Sequence, residues 1–173
     1  MDQQLHRLER ALNSVAHREL PRSHASATNK SLIIVRKELV KAVSRETKIP
    51  QKKIRKRVVL TRAKPNFLRA KFSVWQQSVS VADVSRTAGV GKKVRWAGEV
   101  YPRSFYNKAA NGKLLALQRK GRARYPIEAV KVDIKTSIDK LLPVKSAEVM
   151  GRDFPGLLRR EFIWRINRNV KFS

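Results

Sequence analysis

Between Thr47 and Lys71 stand ten lysines and arginines, at positions 48, 52, 53, 55, 56, 57, 62, 64, 69 and 71, and no acid. A second run, Tyr101 to Tyr125, carries seven more, at 103, 108, 113, 119, 120, 122 and 124, again with no acid. Ordinary solvated surfaces mix the two signs. Single-sign runs of this length call for a polyanion or an acidic docking surface. The same bias holds across all 173 residues, whose formal net charge is +27. A monomer so charged repels itself and attracts nucleic acid, an anionic membrane surface or an acidic protein neighbour. Composition alone does not choose among the three.

The charge does not prevent folding. Hydrophobic residues make up 42% of the chain, close to an ordinary globular composition. A chain of this length buries roughly 70% of its unfolded surface, enough for a core. There is no cysteine, which excludes a disulfide scaffold, thiolate metal sites and cysteine nucleophiles. No apolar run approaches the ~18 residues of a membrane span. The first twenty residues hold no long apolar stretch of the kind that marks a secretory signal.

Periodicity assigns the elements. Leu5, Leu8, Leu12 and Val15 form a helical stripe, which Pro21 is expected to end. Pro21 to Ser26 reads as a turn, with Ser26 or Thr28 as a cap for a second helix. Leu32, Val35, Leu39 and Val43 then share one face, and Ile49-Pro50 imposes a break. Gln51 to Arg57 reads as a short helix entered through Pro50. Alternation at Leu68, Ala70, Phe72 and Val74 predicts a strand, as it does at Val79 and Val81. Thr87 to Lys93 reads as a loop, and Val94 to Tyr101 as one strand. Asn111-Gly112 marks a hairpin turn between strands Ser104–Lys108 and Lys113–Arg119. Ile127 to Ile134 is extended. Ser137 to Met150 and Phe154 to Val170 return to helix, separated at Gly151. The expected architecture is α+β in a single domain over residues 1–173, with N-terminal helices (1–57), a central antiparallel β-sheet with a hairpin (58–135) and C-terminal helices (136–173).

Chemistry is sparse. The acids form no paired motif that spacing identifies, and Glu128 and Asp133, five apart on an extended segment, face opposite sides. His6, His17 and His24 lack a third ligand nearby. Gly89-Val-Gly91-Lys-Lys lacks the rest of a phosphate-loop pattern. No catalytic residue, cofactor or metal is expected, and the chain is not read as an enzyme. Tyr101, Phe105, Tyr106 and Tyr125 could stack bases, though strand alternation sends at least half of them to the core. The residues singled out for contact with DNA or an acidic partner are Lys48, Lys52, Lys53, Arg55, Lys56, Arg57, Arg62, Lys64, Arg119, Lys120, Arg122 and Arg124.

Several motifs fall in a familiar order. Arg45-Glu46-Thr47-Lys48-Ile49 precedes the basic run to Ala63. Pro102 and Phe105 enter a hairpin with Asn111-Gly112, and Leu117-Gln118-Arg119 closes it. Arg124-Tyr125-Pro126-Ile127 and Val130-Lys131-Val132 follow, and Phe154-Pro155 opens the last helix. This series resembles the minor tail protein Z (tail completion) family of lambdoid tailed phages, over most of Ser44 to Arg168, with Gln76 to Gly98 the least matched. The resemblance implies a basic virion protein at the head-proximal end of the tail, in the neck, that completes the tail for head–tail joining. It implies assembly in the host cytoplasm and a homo-oligomeric ring, a hexamer by the symmetry of related rings. It implies the tail terminator, tail tube and connector as partners, no membrane and no catalytic residues; the charge adds contact with either the phage DNA end or acidic neck proteins. The alternative from composition is a free nucleic-acid-binding protein, ribosomal-like or architectural, against which no standard reader motif is present.

Overall fold

The computed structural model describes residues 2–85 and 88–169. The element order is α1 (Asp2–Ser14), a π-helical turn (Val15–Glu19), α2 (Leu20–Thr47), α3 (Gln51–Arg55), β1 (Val58–Thr61), β2 (Lys71–Val74), β3 (Val79–Ser80), α4 (Val81–Val84), β4 (Arg95–Trp96), β5 (Glu99–Val100), β6 (Ser104–Lys108), β7 (Leu114–Arg119), β8 (Ile127–Ala129), β9 (Lys131–Val132), α5 (Lys135–Arg152) and α6 (Phe154–Asn169). The class is α+β, as expected. Among the described residues the strands form four small antiparallel sheets, ordered β1-β2, β3-β9, β4-β5 and β6-β7-β8, where one central sheet was expected. Among the described residues no helix is long and apolar enough to cross a membrane.

Pro21 does not end the first helix. Helical backbone runs from Asp2 to Thr47. The turn before the proline is widened, with the Leu20 N–H donating to the Val15 carbonyl five residues back. In a regular helix the proline ring would collide with the carbonyl of residue 17, and a π turn moves that carbonyl aside. The Ser23 hydroxyl then donates to the Glu19 carbonyl at 2.8 Å, and Ala25 and Ala27 are buried. The segment read as a turn is therefore helical, with Ser23 and Ala25 buried, and neither Ser26 nor Thr28 is a cap.

The chain divides into two compact units. The first comprises residues 1–39, 58–74 and 142–173. Its side-chain ties join distant segments. Asn29 donates its amide to the Ala63 carbonyl at 3.0 Å and accepts the Ala63 N–H at 2.8 Å. Arg152 pairs with Glu38 at 2.7 Å and with Asp153 at 2.8 Å. The break between α5 and α6 falls at Asp153, two residues beyond the expected Gly151.

The second unit comprises residues 40–57 and 75–141. Its core joins Val81, Val94, Tyr106, Ala116 and Val130, with Trp96 and Tyr101 packed against it. Asp133 caps α5. Its carboxylate accepts the Lys135 N–H at 3.0 Å and the Thr136 hydroxyl at 2.8 Å, and these bonds hold it below the usual carboxylate range. Val94 to Tyr101 is a hairpin and not one strand: Arg95 pairs with Val100 and Trp96 with Glu99. Ala97 and Gly98 turn it with φ of 53° and 90°, the double positive φ of a type I′ turn.

The β6–β7 hairpin lies where the sequence puts it. Gly112 alone takes the left-handed conformation, at φ 76°, while Asn111 accepts the Lys113 N–H at 3.0 Å. No atom lies within 4 Å of a Cβ added at Gly112, so a side chain there meets backbone strain and no clash. Gly112→Val is expected to cost about 1–2 kcal/mol and to lower Tm by roughly 2–8 °C. Thermal unfolding followed by circular dichroism checks this, and an unchanged Tm would refute it.

Candidate polyanion-binding surface and pocket

The short helix α3 follows from three residues. Pro50, at φ −56°, sets its first turn, and its carbonyl accepts the Lys53 N–H at 2.9 Å. Ile54 is buried and anchors it. With a single inward residue in five, the remaining positions have nowhere to go but water. Lys52, Lys53, Arg55 and Lys56 are all exposed. Arg57 differs: it is half-buried, and its guanidinium donates to the Gln77 carbonyl. Its carbonyl also accepts the Trp75 N–H at 2.9 Å. Arg57 thus fastens two segments of the second unit.

The other singled-out cations are spread out. Arg62 and Lys64 are exposed in the first unit, where Lys64 and Phe67 exchange backbone hydrogen bonds of 2.9 Å. Arg119, Lys120, Arg122 and Arg124 lie in or after β7 and are exposed. Lys120 pairs with Glu128 at 2.5 Å. The Arg119 guanidinium sits 5.4 Å from the Phe105 ring centroid, and that of Arg124 5.9 Å from Tyr125. Of the four aromatics, Tyr106 is in the core, Tyr101 and Phe105 are half-buried, and Tyr125 is exposed.

Acid pairing sorts these cations further. Among the described residues no acid pairs with Lys48, Lys52, Lys53, Lys56, Arg62 or Lys64. Four acids are engaged with other cations: Glu161 with Lys30, Asp83 with Lys113, Glu148 with Lys145 and Glu128 with Lys120. Those six cations of the first basic run therefore have no acid to neutralise them among the described residues. Glu128 and Asp133 do structural work, one in an ion pair and the other as a cap. The glycine loop at 89–93 uses its amides internally: Gly91 N–H donates to the Tyr106 carbonyl at 3.0 Å and Lys92 N–H to the Gly89 carbonyl at 3.1 Å. Thr87, where the expected loop begins, lies outside the described residues. Among those residues no group of three or more His, Asp or Glu could hold a metal ion.

Lys48 also lines a pocket of about 450 Å³ in the second unit. Pro50 stands beside it, Val84 and Ser85 contribute from the end of α4, and the turn of the β4–β5 hairpin, Arg95 to Gly98, closes the other side. Trp96 is fixed there by its indole N–H, which donates to the Thr47 carbonyl at 3.3 Å. That carbonyl is one of the orphan acceptors at the end of α2. Lys48 itself is left-handed at φ 59°, at the position after a helix where glycine is usual. For a lysine this costs roughly 1–2 kcal/mol. Its neighbours hold it there: the Ser44 hydroxyl donates to the Ile49 carbonyl at 2.7 Å, and the Ile49 N–H to the Thr47 hydroxyl at 3.4 Å. Arg95 and Trp96 were not singled out from the sequence. Gly98, four residues inside a segment read as one strand, was the available signal.

Comparison with known proteins gives the class: a structural protein of phage tails. A family model described as prophage minor tail protein Z matches residues 5–82 and 70–170, and the chain belongs to that family. The match begins well before Ser44, where the motif resemblance starts. The chain is 25% identical over 153 residues to a tail completion protein of Escherichia phage N15, covering 82% of this chain and 83% of that protein. No solved structure matches it.

Proposed function

We propose that this protein completes the tail at its head-proximal end and prepares it for joining to the filled head. Membership of the minor tail protein Z family carries the reading, and the similarity to a tail completion protein supports it. On this reading the protein is a non-enzymatic part of the virion that docks by charge. Its partners are the neighbouring tail terminator, tail tube and connector proteins and the DNA end, and it assembles as a hexameric ring in the host cytoplasm.

The physics of such a ring favours division of the positive surface. Six copies multiply a charge of +27 sixfold, so the ring needs anions around it. DNA brings about one charge per 1.7 Å of its axis. A lumen lined only with cations would hold DNA too tightly to let it pass. Part of the surface therefore faces DNA and part meets acidic protein. Electron microscopy of lysates from a phage lacking this gene tests the reading. Filled heads and unattached tails are expected; a normal yield of joined virions would overturn it.

A further inference from the structure

We infer that the pocket at Lys48, Arg95 and Trp96 seats a short acidic peptide segment of a neighbouring protein, an apolar side chain flanked by carboxylates. The inference narrows the partner of the docking proposed above and rests on that reading. The walls at Pro50, Val84 and Trp96 are apolar, and two cations stand at the same cavity. Among the described residues neither Lys48 nor Arg95 has an acid partner. The volume, about 450 Å³, lies within the usual range of ligand sites.

The chemistry selects a peptide over a nucleotide. A buried base needs partners for the several donors and acceptors on its edge, or pays for desolvating them. Here the neutral polar side-chain groups among the lining residues are the Ser85 hydroxyl and the Trp96 indole N–H, and the indole N–H is already given to the Thr47 carbonyl. An apolar side chain needs none, and its flanking carboxylates meet the two cations. The backbone agrees with use. Lys48 and Ala97, two of the three non-glycine residues with positive φ among the described residues, both line this cavity, and conformations of that kind gather at functional sites. A glycine at position 48 would fold more easily; a lysine there supplies a charge.

The test is fluorescence anisotropy of a labelled Asp-Glu-Leu-Glu-Asp peptide with the full chain at low salt. The comparison probes are its amide isostere, Asn-Gln-Leu-Gln-Asn, and a hexamer of deoxythymidine. Lys48→Gly combined with Arg95→Gln is expected to weaken the acidic peptide at least tenfold. Lys131→Gln with Lys140→Gln removes the same charge from exposed positions outside the pocket and is expected to weaken it less than twofold. Arg95→Lys should keep much of the affinity. Lys48→Gly alone should raise Tm while lowering affinity, which a merely structural lysine would not do. Equal losses from both double variants would overturn the inference, as would absence of peptide binding. Tighter binding of the oligonucleotide with the same dependence on Lys48 and Arg95 would overturn it in favour of single-stranded DNA. None of these results bears on the tail assignment, which the micrographs decide.

Discussion

Replacing Lys52, Lys53 and Lys56 together with Gln is expected to yield tails that form but join heads poorly. The three lysines are exposed on or just after a helix whose one buried residue is Ile54, and no acid among the described residues neutralises them. Arg57 is left intact in this variant because its guanidinium holds the Gln77 carbonyl, so that changing it would disturb the fold as well as the charge. Glutamine is shorter than lysine but has nearly the same helix propensity and no charge. The variant should therefore melt with the native protein, and any defect belongs to the charge.

Salt then separates the partners. Each phosphate contact adds about −0.9 to the slope of log affinity against log salt, so three lost contacts flatten that slope by about 2.7. A flattening of this size in DNA binding by the isolated protein would place the run on DNA. Absence of DNA binding at low salt, with joining still impaired, would place it on an acidic protein face. Native infectivity from the variant would mean that the cluster only keeps the chain soluble, and the docking role of α3 would be lost.

How far the sequence carries can be read from particular residues. The break at Ile49-Pro50, the entry of α3 and the β6–β7 hairpin were all legible, because proline and glycine act through local sterics that need no tertiary context. Pro21 misled for the complementary reason. Its local rule is sound, but a π turn upstream relieves the clash, and no residue between Val15 and Glu19 announces such a turn. The strand at Val94 to Tyr101 failed through Ala97, which takes a positive φ that its side chain disfavours. A glycine or asparagine there would have advertised the hairpin.

The candidate site was legible in its charge and not in its geometry. Counting charges found Lys48 and the α3 lysines. It could not find Arg95, whose importance comes from a turn that folds it towards Lys48 across a gap of forty-seven positions in the sequence. Nor could it demote Arg57, which looks identical to its neighbours until the Gln77 carbonyl is seen beside it. Isolated basic runs raise the expectation of a polyanion or an acidic docking face; only the fold shows which cations have no acid partner among the described residues.

Changing Leu8 and Leu12 to Asp is expected to keep the protein out of tails. The stripe of α1 is solvent-facing, with Leu5 61%, Leu8 52% and Leu12 57% exposed. Each leucine has about half of its surface left to bury. At about 25 cal/mol per Å², covering the three by a neighbouring subunit contributes on the order of 1 kcal/mol apiece. In a closed ring every subunit repeats the contact, so the loss recurs at each interface. Two aspartates also reduce the positive charge, which by itself eases association. Failure of the variant to assemble would therefore report lost apolar burial and not added repulsion. Leu8→Ala with Leu12→Ala supplies the control for helix stability, since alanine favours helix more than either residue it is compared with. The alanine pair should weaken incorporation in the same direction, by less. Sedimentation of the isolated protein and quantitation of the subunit in purified tails provide the measurements. Native sedimentation and native incorporation of the aspartate variant would show that α1 does not join subunits.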